Sequence, residues 1–183
     1  MGADLEPGTV IEAYRHGMFP MPMGRRNLAW FSPDPRGVLF PTQVHVSRSL
    51  RRSMRHFEIR IDTAFDEVVE GCADKRRPHG WIDKSIKTAY GRLHEMGWAH
   101  SVEVFVDDEL AGGLYGIAIG GLFAAESKFH RVTDASKAAV VALCRIMSST
   151  EGSLIDVQWA TPHLESLGVV EIPRSRYLGM LDS

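Results

Sequence analysis

Apolar residues alternate with other residues along the middle of the chain, between about residues 101 and 127. In "HSVEVFV", Val102, Val104 and Val106 recur at every second position, which is typical of a strand with one buried face. A "DDE" turn leads into the long apolar stretch "LAGGLYGIAIG", and a "GG" turn leads into "LFAAES". The pattern predicts three consecutive antiparallel strands, and "GSLIDVQWA" predicts a further strand later in the chain.

Helical periodicity marks the regions on either side of these strands. We expect a short helix over 9–16, which opens with the capping pair Thr9 and Glu12. Further helices are expected after Thr63, over 84–96, after Asp134 and after Thr161. The Pro-rich segment that follows Gly17 has little periodicity and is interpreted as irregular. This order of elements predicts an α+β or mixed α/β fold around a central sheet.

One predicted helix, in "SRSLRRSMRHF", carries only positive charge on its polar face. Ser47 is the expected N-cap, and the apolar side repeats through Leu50, Met54 and Phe57. The basic positions have spacing i, i+3, i+4 and i+7 and are Arg48, Arg51, Arg52 and Arg55. They form either a solvated face or a ridge that binds phosphate groups, and both readings stay open.

A second basic segment, "KRRPHGWIDKS", surrounds a tryptophan. Trp81 lies close to Arg76 and Arg77, so its ring is a candidate for stacking on a nucleobase. The alternative is that Trp81 anchors this loop to the core.

Composition limits the classes of function. The chain has 183 residues, 44% of them hydrophobic, and a net charge of -2, so a nucleic-acid site has to be a local basic patch. No apolar run approaches the roughly 20 residues that span a bilayer, and the start does not resemble a signal peptide. Cys72 and Cys144 are expected to be reduced core thiols, which suits a cytoplasmic protein.

Polar residues interrupt the strand in "SLIDVQWA". Alternation places Asp156 and Gln158 on one face, and Ile155, Val157 and Trp159 on the other. A carboxylate and an amide in an apolar strand are costly unless they are paired. They either form a buried polar network or meet Glu126 at the end of the neighbouring strand.

The stretch "AAESKFHRVTDASK" brings chemistry to the end of a core strand. Glu126 ends the strand, while Arg131 and Lys137 flank the start of the next helix, where backbone amides favour an anion. A carboxylate therefore lies beside a helix start suited to phosphate. A substrate that needs both a proton acceptor and a phosphate contact would suit this arrangement.

These residues resemble those of the leucyl/phenylalanyl-tRNA–protein transferases. The matching stretches include "AYRHGMFPM", "WFSPDPRGVLFP", "HVSRSLRR", "EGCADKRRPHGWI", "DASK", "LIDVQ" and "SLGVVEIPR" in this order. The resemblance implies a small N-terminal domain over 1–33, shortened relative to the family, and a catalytic domain over 34–183 with a mixed, largely antiparallel sheet like that of the GNAT acetyltransferases. It also implies transfer of Leu, Phe or Met from a charged tRNA to proteins with N-terminal Arg or Lys, which marks them for degradation.

The resemblance assigns roles to particular positions. It places Glu126, Asp156 and Gln158 in the polar active site. It places the amino-acid pocket at Leu114, Phe123, Leu143 and Ile155. It places Trp81 near the terminal adenosine, and the other candidate tRNA contacts are Arg48, Arg51, Arg52, Arg55, Arg76, Arg77, Arg131 and Lys137.

An activated ester needs orientation and the removal of one proton rather than a nucleophile of the enzyme. Our hypothesis is that Asp156 polarises Gln158, which guides the attacking amine, while Glu126 attracts the cationic acceptor. We expect the apolar pocket and this polar cluster to lie side by side, with no metal or cofactor. Lys128 stands where the family usually has Met, and we expect it to lie beside Glu126 and either lower the pKa of that carboxyl or neutralise its charge. We expect a cytoplasmic monomer.

Two other functions fit the same fold. An acyl-CoA N-acetyltransferase would need a Gly-rich loop that opens a helix, whereas "GIAIGG" lies in a predicted hairpin. A non-catalytic tRNA-binding protein would use the arginines and Trp81 but would have no use for Asp156 and Gln158.

Overall fold

The computed structural model describes residues 4–23, 27–74 and 82–181. The helices in these ranges are α1 (Pro7–Arg15), α2 (Arg48–Ser53), α3 (Phe65–Cys72), α4 (Lys84–Glu95), α5 (Ala135–Met147), α6 (Pro162–Glu165) and α7 (Arg174–Leu181). The strands are β1 (Phe19–Met23), β2 (Asn27–Phe31), β3 (Arg36–Leu39), β4 (Glu58–Ile61), β5 (Ala99–Val106), β6 (Glu109–Ile119), β7 (Leu122–His130), β8 (Leu154–Gln158) and β9 (Val170–Ile172). Two short 3₁₀ turns cover Pro41–Gln43 and Met54–His56.

Seven strands form one sheet in the order β4-β5-β6-β7-β8-β3-β9. The β7–β8 pair is parallel, and the other pairs in this sheet are antiparallel. The predicted α+β fold with a mixed, largely antiparallel sheet is therefore confirmed. Strands β1 and β2 form a separate two-stranded sheet.

The two faces of the large sheet are covered by different elements. On one face, α1, α3, α4 and residues of the β1–β2 hairpin pack together, with Tyr14, Val68 and Tyr90 in the same apolar cluster. On the other face, α5 and α2 pack in a second cluster that includes Leu50 and Leu143. Both cysteines are buried free thiols, as predicted. In the described part of the chain, no helix has the length and apolar character to cross a bilayer.

The predicted irregular segment after Gly17 is wrong, because it forms the β1–β2 hairpin. Phe19 pairs with Phe31, and Met21 pairs with Ala29. Phe19 is buried, and the partly buried Trp30 packs against the same cluster. Apolar contacts with the main core therefore outweigh the weak strand tendency of a Pro-rich sequence, and a two-stranded sheet tolerates the missing amide hydrogens of proline.

Some predicted helix starts differ from the observed ones. Helix α1 begins at Pro7 rather than at the Thr9 pair, and Pro suits the first helical position because its missing N–H would have no partner there. Helix α3 has Ala64 at its N-cap, since the Thr63 hydroxyl donates to the buried Glu103 instead. Ser47 and Thr161 cap their helices as predicted, by accepting from the amides of residues three positions later.

Candidate active site

The candidate site lies where the parallel strands β7 and β8 end their pairing. The registered pairs are Leu122 with Leu154, Phe123 with Ile155 and finally Ala124 with Asp156. Glu126 lies two residues beyond this last pair on β7, and Gln158 lies two residues beyond it on β8. The fold therefore brings the three predicted catalytic residues, Glu126, Asp156 and Gln158, to one place.

A β-bulge positions Glu126. The pairing of β6 with β7 passes from Tyr115–Ser127 directly to Gly116–Ala125, so Glu126 is the extra residue. A bulge re-aims a side chain and is frequent beside active sites. Here it directs Glu126 towards helices α1 and α4, where two tyrosines meet it.

The carboxylate of Glu126 accepts a hydrogen bond on each oxygen. The Tyr14 hydroxyl donates to Oε1 at 2.5 Å and the Tyr90 hydroxyl donates to Oε2 at 3.0 Å. Burial raises the pKa of both tyrosines well above its ordinary value, and the nearby carboxyl of Glu126 raises it further, so they remain protonated donors. Burial also raises the pKa of Glu126 to about 7, against the lowering effect of the two hydrogen bonds. Glu126 therefore changes charge near neutral pH.

Asp156 has a different environment, because it pairs with a buried arginine. Arg36 on β3 donates from Nε to Oδ1 at 2.8 Å and from Nη2 to Oδ2 at 2.5 Å, and both side chains are fully buried. The Tyr177 hydroxyl of α7 also donates to Oδ2 at 2.9 Å. The two-point contact between guanidinium and carboxylate fixes the orientation of Asp156.

Gln158 stands at the centre of a tight turn that ends β8. Its φ angle is +64°, and the amide of Trp159 donates to the carbonyl of Val157 at 2.7 Å, which closes a three-residue γ-turn. The Gln158 amide donates to Asp156 Oδ1 at 2.9 Å, and its side-chain Nε2 donates to the Asp156 carbonyl at 3.4 Å. Asp156 thus acts on Gln158 through its backbone amide.

The turn also corrects the predicted orientation of Trp159. Strict alternation placed Trp159 on the face of Ile155. In the structure its ring meets Phe19 edge-on at 5.2 Å, and Phe19 belongs to the cluster on the opposite face. The left-handed backbone at Gln158 interrupts the two-residue alternation, so the prediction fails at this point.

The four predicted pocket residues lie together on the α5 face of the sheet. Leu114, Phe123, Leu143 and Ile155 belong to one apolar cluster, and each is at most 4% exposed. They pack as core, and a cavity of about 260 Å³ borders Phe123 and Leu143. Since Phe123 and Ile155 precede Ala124 and Asp156 by one residue, alternation turns the pocket residues and the carboxylates to opposite faces of β7 and β8. The expectation of an open pocket beside the polar cluster is therefore not met in this conformation.

A larger cavity, of about 1540 Å³, opens at the end of β7. Its walls include Lys128, His130 and Arg131 from the end of β7 and the following loop, and Ser136 and His163 from the helices α5 and α6. Burial and the nearby Lys128 and Lys137 lower the pKa of His163. Several positively charged groups therefore gather along this side of the cavity.

The predicted effect of Lys128 on Glu126 is wrong, because the bulge separates the two side chains. Lys128 pairs with Leu114, which packs on the α5 face, whereas Glu126 meets tyrosines on the α1 and α4 face. The pKa of Glu126 is raised rather than lowered. A sequence offers no clear signal for a bulge at this position.

The predicted tRNA-binding residues occupy several surfaces. Four exposed arginines lie on α2 and the adjacent 3₁₀ turn. They are Arg48, Arg51, Arg52 and Arg55. This segment is tied to the start of α5 because the Ser53 hydroxyl donates to Asp134 at 2.9 Å. Arg131 is exposed at the large cavity, and Lys137 is half-buried in the first turn of α5. Arg76, Arg77 and Trp81 lie outside the described residues.

Sequence reasoning missed Arg36, Tyr14, Tyr90 and Tyr177 as members of the site. A charged residue at the start of the apolar stretch "RGVLF" was the available signal for Arg36, because a buried arginine requires a buried anion. The tyrosines lie far from Glu126 and Asp156 in sequence, so only the fold brings them together. Among the described residues, no group of three or more His, Cys, Asp or Glu side chains is arranged to hold a metal ion.

Comparison with known proteins places this chain in a family. The family model described as "Leucyl/phenylalanyl-tRNA protein transferase" matches residues 38–182, and the model of that family's N-terminal domain matches residues 3–34. The curated leucyl/phenylalanyl-tRNA–protein transferase of Stutzerimonas stutzeri (strain A1501) is 51% identical over 180 residues, which are 96% of this chain and 80% of that protein. The protein of the same name from Aromatoleum aromaticum is 49% identical, over 96% of this chain and 76% of that protein.

The solved structures that are similar to this chain include a GCN5-related N-acetyltransferase from Kribbella flavida. It has a TM-score of 0.47 and 14% sequence identity, and the match covers 91% of this chain and 59% of that one.

Proposed function

Because the chain belongs to the leucyl/phenylalanyl-tRNA protein transferase family, we propose that it transfers leucine, phenylalanine or methionine from aminoacyl-tRNA to an N-terminal Arg or Lys of an acceptor protein. The observation that carries the proposal is the match of two consecutive family models to nearly the whole chain. The acceptor is thereby marked for degradation through the N-end rule, and the reaction takes place in the cytoplasm with the enzyme as a monomer. Residues 1–33 form the small N-terminal domain and 34–183 the catalytic domain.

The reaction joins an amine to an activated ester. The α-amino nitrogen of the acceptor attacks the carbonyl carbon of the aminoacyl ester, and a C–N bond replaces the C–O bond to the terminal ribose. The proton lost by the amine balances the proton gained by the ribose oxygen. An acceptor amine with a pKa of about 7.7–8.0 is partly neutral near pH 7, so orientation is the main requirement.

Gln158 guides the amine in this proposal. Gln158 is 8% exposed at the end of β8, and its side-chain Nε2 donates to the Asp156 carbonyl at 3.4 Å. The amide oxygen is suited to accept a hydrogen bond from the attacking nitrogen. Asp156 is a positioning residue, because its carboxylate is saturated by Arg36, Tyr177 and the Gln158 amide.

Glu126 attracts the cationic acceptor and helps to hold the ester. It is partly buried, and its pKa of about 7 leaves it both ionised and protonated in the neutral range. A group with a pKa close to the working pH is also well suited to receive the proton of the amine.

The donor side chain is recognised by burial on the α5 face. Leu114, Phe123, Leu143 and Ile155 supply only apolar surface there, so several unbranched or aromatic side chains fit. The donor enters where β7 and β8 cease to pair, and these core residues repack around it. Rejection of a β-branched side chain then depends on pocket shape and amounts to about 1–3 kcal/mol.

The tRNA is held by positive charge outside this pocket. We assign phosphate contacts to the arginines of α2 and its 3₁₀ turn, to Arg131 and Lys137, and to Arg76 and Arg77. We also assign the stacking contact with the terminal adenosine to Trp81.

The test is transfer of radiolabelled Leu from Leu-tRNA to an acceptor protein with N-terminal Arg. The matched control is the same acceptor with its N-terminus acetylated, which lacks a free amine. Label on the first acceptor only is the expected result. Binding of Leu-tRNA without transfer would favour a non-catalytic tRNA-binding protein, whereas acetyl transfer from acetyl-CoA would favour an N-acetyltransferase. The second outcome is disfavoured because Gly120 and Gly121 lie in the β6–β7 turn and do not open a helix.

A further inference from the structure

We propose that Arg36 is a positioning residue for this reaction, which acts through Asp156 to hold Gln158 in its γ-turn. This inference rests on the proposed function for its kinetic consequence. The structural part, the control of the Gln158 backbone by Arg36, is testable independently.

Each nitrogen of the Arg36 guanidinium donates a hydrogen bond. Nε and Nη2 contact Asp156, and Nη1 donates to the Gly17 carbonyl at 2.9 Å. The guanidinium carbon lies 4.9 Å from the ring centre of Phe19 and 4.5 Å from that of Tyr177. Three hydrogen bonds and two cation–π contacts therefore restrain the orientation of the side chain.

Asp156 transmits this orientation to Gln158. Its Oδ1 atom accepts from both Arg36 Nε and the Gln158 amide, at 2.8 and 2.9 Å. A displacement of the guanidinium therefore moves the acceptor that holds the turn. Tyr177 restrains the other oxygen at 2.9 Å.

The γ-turn needs such support, because its geometry is unfavourable for a residue with a side chain. A left-handed backbone persists at Gln158 only when its surroundings enforce it. Gly37 on β3 contributes by close approach, since a Cβ there would lie 2.6 Å from the carbonyl carbon of Trp159. The side chain of Arg36, the residue before Gly37, holds the same turn through Asp156.

Arg36 also connects the two halves of the candidate site. Through Gly17 it holds the chain just after α1, and α1 carries Tyr14 to Glu126. Arg36 is thus linked by hydrogen bonds to the segments that carry Tyr14 and Gln158, so the spacing of Glu126 and Gln158 is sensitive to its position. An ester and an amine held by these two groups would react only when the spacing is correct, and a misplacement of about 1 Å costs up to about 10²-fold in rate.

The test uses Arg36→Lys, which keeps the positive charge but loses the two-point contact with Asp156. We expect kcat for Leu transfer, per folded molecule by circular dichroism, to fall by about 10-fold to 10²-fold. We expect KM for Leu-tRNA to change by less than about 3-fold, because ground-state binding lies elsewhere. Arg60→Lys is the matched control, since Arg60 also makes a two-point contact with a carboxylate, Glu58, but on the far strand β4.

A second variant keeps the proposal falsifiable if Arg36→Lys does not fold. Tyr177→Phe removes one hydroxyl while its ring still covers Arg36, and we expect a smaller loss in kcat of about 3-fold to 10-fold. In ¹⁵N-labelled protein, both variants should shift the backbone amide resonance of Gln158, whereas Arg60→Lys should leave it in place.

Unchanged kcat per folded molecule together with an unmoved Gln158 resonance in both variants would overturn the proposal. If the unmodified protein transfers no Leu, the proposed function is wrong, but the Gln158 resonance still reports whether Arg36 holds the turn.

Discussion

Glu126 and Asp156 approach the same junction of β7 and β8 from the same side of the sheet, yet they have opposite kinds of neighbour. Glu126 is partly buried and is held by two neutral hydroxyl groups. Asp156 is fully buried and is held by the cation of Arg36. The cation of Arg36 compensates the negative charge of Asp156, whereas the two hydroxyl partners of Glu126 are uncharged.

The difference separates two roles that the residue types alone do not distinguish. A carboxyl group that is buried among neutral partners has a raised pKa, as Glu126 does. A carboxylate that accepts two hydrogen bonds from one guanidinium, as Asp156 does, is held in one orientation. Glu126 is therefore the group that senses pH and charge, and Asp156 is the group that holds a shape.

The largest expected effect comes from Asp156→Ala, because it leaves the Arg36 cation buried without its partner. Transfer should fall by at least about 10²-fold, because the turn that positions Gln158 loses its support. The free energy of unfolding should decrease by about 3–5 kcal/mol, which urea titration measures. Affinity for tRNA should change little, since Asp156 has no exposed surface.

Asp156→Asn is the companion variant, because it keeps the size of the side chain and removes only the charge. It should be destabilised like Asp156→Ala if the pairing with Arg36 is what matters. Wild-type turnover in either variant would show that the pairing of Asp156 with Arg36 has no part in the reaction.

The sequence predicted this polar cluster but not the different roles of Glu126 and Asp156. Alternation along β8 placed Asp156 and Gln158 on one face and left their meeting with Glu126 as one of two readings, which the family resemblance favoured. The antiparallel strands β5 to β7 followed from periodicity. The partners that separate the two carboxylates come from α1, β3, α4 and α7. Such long-range contacts leave no local pattern in the sequence.

Local rules failed where the backbone leaves regular geometry. The bulge at Glu126 moved Lys128 to the other face, and the γ-turn at Gln158 did the same to Trp159. A one-residue shift reverses every later side chain on a strand, so a single irregular position invalidates a correct strand assignment. Both irregularities lie at the candidate site.

The next largest effect is a dependence on pH that Glu126→Gln should remove. The folded-state pKa of about 7 lies above the ordinary value of 4.5, so the folded protein retains a proton that the unfolded chain has released. Stability should therefore be greatest below about pH 4.5 with respect to this group, decrease as pH rises to about 7, and stay level above it. Over this window Glu126→Gln should gain up to about 3 kcal/mol relative to the unmodified protein.

Urea titrations at several pH values measure this gain, and transfer assays supply a second readout. In Glu126→Gln, the transfer rate should no longer change with pH around pH 7, so this limb of the pH–activity profile should disappear. The rate itself should fall because the neutral amide does not attract a cation. A difference in stability that is independent of pH would mean that Glu126 does not titrate in this range.

The smallest effect distinguishes the two carboxylates most sharply. The Tyr90 hydroxyl stabilises the ionised form of Glu126, so Tyr90→Phe should raise the pKa of that carboxyl and move the activity limb upward by about half to one pH unit. Tyr14→Phe should move the limb further, because its hydrogen bond is shorter, at 2.5 Å against 3.0 Å.

Tyr177→Phe removes an equivalent hydroxyl from Asp156 and should lower the rate without moving the limb. An equal displacement in Tyr177→Phe would mean that the limb does not report Glu126 alone, and the separation of the two roles would be wrong.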